Sequence, residues 1–142
     1  MSCINIYLNF NGTCEAAFNF YKSVFGGEFP YLGRFSEMPP QEGYTPNPED
    51  ADKIMHVSLP IGPNTVLMGS DTGGEWCGKF VQGTNFSISY SADNEADSHR
   101  IFHGLAEGGQ ITMPLAPTFW SPLFGMCTDK FGINWMVSFG KL

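Results

Sequence analysis

A strand–helix–glycine pattern that occurs twice constrains the fold of this chain more than any other feature. Residues 4–10 alternate in part between apolar and polar side chains and are rich in β-forming types, which predicts a strand. Residues 13–25 then place apolar side chains at helical spacing, with Asn11 or Thr13 expected as the N-terminal cap. A Gly-Gly pair follows and predicts the end of that helix.

The second copy repeats this order at an offset of 82 positions. Residues 85–91 predict a strand, and residues 94–107 predict a helix with Ser98, Phe102 and Leu105 on one face. A second Gly-Gly pair ends it. The repeated order indicates two related modules rather than one continuous sheet.

Further strands are predicted after each helix. In the first copy they cover 28–35, 54–59 and 65–70, and in the second copy they cover 110–114, 125–128 and 135–139. The segment 36–52 contains four prolines and no apolar period, which predicts a long loop. We therefore predict an α+β fold of two βαβββ modules with mixed or antiparallel sheets. The expected bounds are about 1–72 for the first module, 73–83 for a linker and 84–142 for the second.

Length and charge exclude several functions. The 142 residues suit one globular domain, and 7 basic against 14 acidic residues give a net charge of −7. Such a chain is repelled by nucleic acid and by an anionic membrane surface. No basic residue precedes Lys22, and no run of about 18 apolar residues is present. We expect a soluble cytoplasmic protein that binds neither nucleic acid nor membrane.

Several motifs have simple structural interpretations. The four cysteines form no C-x-x-C pair, so we expect reduced thiols, mostly buried. The segment 73–80 resembles a phosphate-binding loop but lacks its final Ser or Thr, which favours a linker loop. His99 and His103 have the spacing of two zinc ligands without the accompanying Glu, which favours a solvated helix surface.

Two features leave alternatives open. His56 lies in the middle of a predicted strand, where it is either a core or pocket-wall residue or a catalytic base. The aromatic residues near Trp120 and Trp135 form either hydrophobic core or the wall of a pocket for an apolar or planar ligand.

Four stretches of this sequence resemble a known family. They are YLNFNGTCEAAFNFYKSVFGGE at 7–28, ADKIMHV at 51–57, TFWSPLFGM at 118–126 and DKFGINWM at 129–136. Together they closely resemble the PhnB-like branch of the glyoxalase/bleomycin-resistance (vicinal oxygen chelate) superfamily. This branch is often labelled demethylubiquinone methyltransferase-like. The resemblance implies paired βαβββ modules that curl around a cavity, usually in a homodimer.

The resemblance also implies where a divalent metal would bind. Superfamily enzymes hold it with His or Gln on the first strand of each module and Glu on the last. When these metal-ligand positions are transferred to this chain by the resemblance, they fall on Ile6, Ser87, Met136 and either Leu67 or Met68. None of these is a usual ligand for a hard or borderline cation. We therefore expect no divalent metal and no other cofactor.

These observations lead to a functional hypothesis with two alternatives. The first is a small-molecule binding protein with a mostly apolar pocket, and drug sequestration is one form of this function. The expected pocket residues are Ile6, His56, Leu67, Met68, Ser87, Trp120, Trp135 and Met136. The alternatives are a lyase, isomerase or dioxygenase that uses His56 or a metal, and, less favoured, a methyltransferase. No glycine-rich site for a methyl-donor cofactor is recognisable.

Overall fold

The computed structural model describes residues 2–39, 47–72 and 79–140. The chain divides into two compact units, Met1–Val81 and Gln82–Leu142. Cys77 and most of the phosphate-loop-like segment lie outside the described residues. In the described ranges, no helix is long and apolar enough to cross a membrane.

The first unit is a βαβββ module. Its elements are β1 (Ile6–Phe10), α1 (Cys14–Phe25), β2 (Tyr31–Arg34), β3 (Ile54–Gly62) and β4 (Thr65–Asp71). The strands form a mixed sheet in the order β1-β4-β3-β2, in which β1 is parallel to β4 and the other pairs are antiparallel. Short 3₁₀ turns at Phe35–Glu37 and Pro48–Asp50 occupy parts of the predicted loop.

The second unit has the same order of elements. They are β5 (Ile88–Ala92), α2 (Glu95–Ala106), β6 (Gln110–Ala116), β7 (Leu123–Thr128) and β8 (Asn134–Phe139). The sheet order is β5-β8-β7-β6, again with the first and last strands parallel. The predicted α+β class and the two βαβββ modules are confirmed.

Three predicted strands begin later in the structure than expected, and the first of them, predicted over 4–10, begins at Ile6. The strand predicted over 28–35 begins only at Tyr31, because Pro30 has no N–H group to donate to a neighbouring strand. The strand predicted over 85–91 begins at Ile88, where pairing with Trp135 of β8 begins. Ser87 therefore precedes β5 rather than lying within it.

Each helix buries the face that its spacing predicts. On α1 the buried residues are Cys14, Ala17, Phe18, Tyr21 and Val24, and on α2 they are Ser98, Ile101, Phe102 and Leu105. A glycine in each sheet allows close packing. A Cβ atom on Gly69 would lie 2.7 Å from Phe18 Cε2, and one on Gly125 would lie 2.8 Å from Phe102 Cε1.

The N-terminal cap of α1 differs from the prediction. Thr13 occupies the cap position but its side chain makes no capping hydrogen bond in the described structure, and neither does that of Asn11. Instead, the buried carboxylate of Asp71 accepts hydrogen bonds from Gly12 N–H and Cys14 N–H, each at 2.9 Å. Its other oxygen accepts from Ile54 N–H at 2.9 Å. Asp71 thus satisfies donors at the start of both α1 and β3.

A second buried carboxylate organises the turn before β8. Asp129 accepts hydrogen bonds from Phe131 N–H at 2.8 Å and from Ile133 N–H at 3.1 Å. Its other oxygen accepts from Trp135 Nε1–H at 2.9 Å. Trp135, which is 1% exposed, is therefore anchored in the interior of the second unit.

Candidate functional site

Each sheet has one face packed against its own helix and an opposite face that we call the open face. In β4, Leu67 and Gly69 alternate with Met68 and are buried on the side of Phe18. In β8, Trp135 and Val137 lie opposite Cys127 and Gly125, on the side of Phe102. Residues of the other parity form the open faces, and these include the candidate functional residues.

The open face of the first unit carries a row of side chains that crosses all four strands. Tyr31 pairs with Ser58, Ser58 pairs with Met68, and Met68 pairs with Tyr7. Directly opposed residues project from the same face, with Cβ atoms about 4.5–5.5 Å apart. The row is therefore a continuous surface of two phenol rings, a hydroxyl and a thioether.

His56 lies between the two tyrosines and makes what we call the Tyr–His cluster (Tyr7, His56 and Tyr31). Its ring stacks with Tyr7 at a centroid distance of 5.6 Å and an angle of 28°, and lies 5.7 Å from the ring of Tyr31. Tyr7 Oη is 3.2 Å from His56 Nδ1, a hydrogen bond whose direction depends on the histidine tautomer.

The Tyr–His cluster remains accessible to solvent. Tyr7 is 43% exposed and Tyr31 is 49% exposed, while His56 is partly buried between them. Accessible ring surface next to a hydrogen-bonding pair suits a planar ligand that stacks on a ring and exchanges a hydrogen bond. The same pair can also move a proton.

The open face of the second unit carries a different row. Met113 pairs with Met126, Met126 pairs with Met136, and Met136 pairs with Ser89. We call the first three of these residues the methionine row. All three are partly exposed, whereas Cys127, Trp135 and Val137 on the opposite face of β7 and β8 are buried.

An aromatic loop stands beside this row. Trp120 packs edge-on against Phe124 with ring centroids 5.4 Å apart. The loop is held by Ser121, whose hydroxyl donates to the carbonyls of Leu123 at 2.8 Å and Phe139 at 3.1 Å. Phe124 and Met126 share a face of β7, so the aromatic loop and the methionine row are neighbours.

The structure places the predicted pocket residues in three different environments. His56, Met68 and Met136 lie on open faces. Leu67 and Trp135 are fully buried on the faces that pack against the helices, and Ile6 shares the parity of buried Leu8 and Phe10. Ser87 precedes β5, and Trp120 lies in the loop before β7. The predicted set is therefore not one continuous surface.

Sequence reasoning missed Tyr7, Tyr31 and Ser89, together with Met113 and Met126. The sequence does indicate the face on which Tyr7 lies, since Tyr7 alternates in β1 with the apolar residues Leu8 and Phe10, which are buried. Met113 had none, because its pairing depends on register shifts in β6 on both sides of it.

The residues at the four ligand positions that the superfamily implies do not fit a divalent metal. The strand register places Tyr7 and Met68, rather than Ile6 and Leu67, on the open face of the first unit. It places Ser89, rather than Ser87, opposite Met136 in the second unit. Within the described ranges no group of three or more His, Cys, Asp or Glu residues is arranged to hold a metal. The phenol, thioether and hydroxyl groups of Tyr7, Met68, Ser89 and Met136 are not the carboxylate or imidazole donors that such ions prefer, and His56 is one imidazole on the open face of the first unit.

The helix histidines lie away from these faces. His99 and His103 are exposed on α2, with ring centroids 6.0 Å apart, and His99 Nε2 is 4.0 Å from Glu95 Oε1. This agrees with the expected solvated helix surface.

A separate groove of about 420 Å³ occurs at one end of the second unit. It is lined by Gln82, Gly108, Gly109, Gln110, Thr128, Asp129, Lys130, Phe131 and Gly132. It contains none of the pocket residues predicted from the sequence. Its walls are mostly turn backbone and polar side chains, and it lies where α2 meets β6 and where β7 turns into β8.

The architecture of paired βαβββ modules defines the class of protein. Fosfomycin resistance protein FosX from Mesorhizobium loti aligns over 99% of this chain and 93% of its own, with a TM-score of 0.64 and 13% identity, which establishes the fold alone. The fold is that of the glyoxalase and fosfomycin-resistance proteins of the vicinal oxygen chelate superfamily. Within it, the chain belongs to the family described as 3-demethylubiquinone-9 3-methyltransferase, the PhnB-like branch, whose model matches residues 2–138.

Similar proteins support this assignment. Protein YjdN of Escherichia coli is 30% identical over 141 residues, covering 95% of this chain and 93% of YjdN. The structure of protein PA1353 from Pseudomonas aeruginosa aligns over 100% of both chains with 38% identity and a TM-score of 0.84. A PhnB protein from Bacillus cereus aligns over 98% of this chain and 100% of its own, with 26% identity and a TM-score of 0.73.

Proposed function

We propose that this chain is a small-molecule binding protein that takes a planar, mostly apolar ligand on the open face of its first module, without the divalent metal implied by its superfamily. The observation that carries the proposal is the Tyr–His cluster. It combines accessible ring surface on Tyr7 and Tyr31 with a polar pair, Tyr7 Oη and His56 Nδ1, 3.2 Å apart.

Charge and chemistry narrow the ligand class. The chain carries a net charge of −7, which disfavours polyanionic ligands. The cluster offers stacking on both phenol rings and one hydrogen-bonding pair for a carbonyl or hydroxyl group of the ligand. Met68, which pairs with Tyr7, adds an adaptable apolar contact beside the rings. A neutral planar molecule with one polar edge is the best match.

Titration with Nile red, a neutral planar dye with a carbonyl group, tests this proposal. We expect saturable binding by the wild-type protein and a dissociation constant about fivefold weaker for His56→Ala, since one ring contact contributes roughly 1 kcal/mol. His103→Ala is the matched control, because it removes an exposed histidine from α2. Absence of saturable binding, or equal affinity in all three proteins, would contradict the proposal.

The metal-free part of the proposal has a separate test. Elemental analysis of protein purified without a metal-binding tag is expected to find divalent transition metal well below one equivalent. One equivalent that survives dialysis would overturn this part, because it would require donors other than the four residues at the implied ligand positions. The support for the expectation is the donor chemistry of Tyr7, Met68, Ser89 and Met136.

A second candidate is an enzyme in which His56 acts as acid or base. The hydrogen bond between Tyr7 and His56 favours it, because a positioned histidine partner is what proton transfer needs. The reaction classes are those of a lyase, isomerase or dioxygenase. Full turnover of a discovered substrate by His56→Ala would remove this residue from the mechanism.

The methyltransferase description is a family label that we do not extend to this chain. No glycine-rich segment suited to a methyl-donor cofactor is recognisable in the sequence. Titration with the methyl donor is expected to show no binding. The proposed location is the cytoplasm, where the free thiols of Cys3, Cys14 and Cys127 stay reduced.

A further inference from the structure

The methionine row brings together three sulfur atoms from three strands. Met113 on β6, Met126 on β7 and Met136 on β8 are consecutive partners in the sheet, so their Cβ atoms are about 4.5–5.5 Å apart. Their separation along the chain is 10 to 23 residues, and only the register makes them neighbours. All three side chains are partly exposed on the open face.

The methionine row and Ser89 together occupy one line of positions across the four strands of the second sheet. Ser89 pairs with Met136 at the end of this line. No branched aliphatic side chain and no charged group therefore lies between the three methionines. Thioether sulfur is a soft donor that prefers soft cations, and Cu(I) is the biologically available one. The three rotatable bonds of each methionine allow the sulfurs to converge on one point.

The surroundings also suit a soft monovalent cation. Phe124 lies on the same face of β7 as Met126 and packs edge-on against Trp120, so apolar ring surface adjoins the methionine row. The negative net charge of the chain favours cations over anions. Hard divalent ions gain little here, because the row contains no carboxylate or imidazole.

We propose that Met113, Met126 and Met136 form a trigonal thioether site for Cu(I), for which Ag(I) is a redox-inert substitute. The site binds the ion as supplied, and no electron is transferred. It uses none of the residues of the Tyr–His cluster, so the two proposals have separate tests.

The test is an Ag(I) titration by calorimetry, repeated anaerobically with Cu(I) against a competing chromophoric chelator. Free thiols also bind these ions, so all proteins carry Cys3→Ser and Cys77→Ser. We expect one equivalent to bind in this background. Met126→Leu, which conserves volume, is expected to weaken binding at least tenfold, since it removes the central sulfur.

Met55→Leu is the matched control, because Met55 is a partly exposed strand methionine of the first unit to which no binding role is assigned. It should leave the affinity unchanged. X-ray absorption of the Cu(I) protein is expected to show sulfur-only coordination. If Met126→Leu loses its near-ultraviolet circular dichroism, Met113→Leu on the edge strand replaces it. Absence of binding, or affinity unaffected by the loss of a row methionine, overturns the proposal.

Discussion

At the scale of single residues, burial separates the described cysteines into two chemical groups. Cys3 is exposed, whereas Cys14 and Cys127 are buried. Cys14 lies on the buried face of α1, and Cys127 lies on the helix-facing side of β7. Burial, with a smaller effect from Asp129, raises the pKa of Cys127 to about 11. Burial and the nearby Asp71 raise the pKa of Cys14 still further. Both are thus structural thiols with little nucleophilic character at neutral pH.

The raised pKa of Cys127 predicts a specific pH dependence of stability. Between about pH 9 and pH 11 the unfolded chain releases this thiol proton while the folded protein keeps it. Because only the folded state keeps this proton, the free energy of unfolding falls as pH rises. The fall is about 1.4 kcal/mol per pH unit for one thiol. Urea denaturation across this range is expected to show a shallower fall for Cys127→Ala.

Cys3→Ala is the control for that experiment, because it removes a thiol that is exposed rather than buried. Its stability profile should run parallel to that of the wild type. A Cys127→Ala profile with the wild-type slope would show that the buried thiol does not titrate in this way.

At the scale of elements, the two helices begin with the same kind of sequence but are capped differently. Asn94 Oδ1 accepts a hydrogen bond from Asp97 N–H at 2.8 Å, which is a local cap of α2. In α1 the cap residue Thr13 makes no such bond, and the N–H of Cys14, the first residue of the helix, is satisfied instead by Asp71, 57 residues further along the chain. One helix start is therefore determined locally and the other by tertiary contact.

This difference predicts unequal effects of two alanine substitutions. Asn94→Ala is expected to reduce the free energy of unfolding by about 1 kcal/mol, because it removes the cap hydrogen bond. Thr13→Ala, its matched control, is expected to change stability by less than about 0.5 kcal/mol. Urea denaturation of both variants measures the difference. Equal losses would mean that Asp71 does not replace the threonine cap.

The buried faces of the helices could be predicted from the sequence, whereas those of the strands could be predicted only in part. The buried faces of α1 and α2 follow from spacing within twelve residues, which the sequence displays directly. In β4 the choice between Leu67 and Met68 as the open-face residue remained ambiguous, because a shift of one residue exchanges the two faces of a strand. Packing of Gly69 against Phe18 resolves it in favour of Met68.

At the scale of the whole molecule, dimerisation remains a prediction. The sheets end at β1 and β2 in one unit and at β5 and β6 in the other, within the described chain. Phe119 is 97% exposed in a turn where Thr118 and Ser121 are joined by hydrogen bonds. Exposed strand edges and a large exposed ring are features that a partner commonly covers.

Light scattering at micromolar concentration is expected to give twice the chain mass of 15.6 kDa. Phe119→Ser should shift the protein towards the monomer, because it removes the exposed ring without altering a buried contact. Ile4→Ser, which changes a residue that is 91% exposed in the first unit, serves as the control. A monomeric mass for the wild type at this concentration would contradict the prediction.

The sequence by itself determined the two-module order, the helix faces and the glycine-rich helix ends, because each depends on residues close together in the chain. Only the tertiary structure brought Tyr7 and Tyr31 to His56, and aligned Met113, Met126 and Met136. Neighbours across a sheet are set by strand register, which depends on bulges, on turns and on which face packs against the helix. No spacing within a single segment reports those choices, so the candidate sites emerged only with the fold.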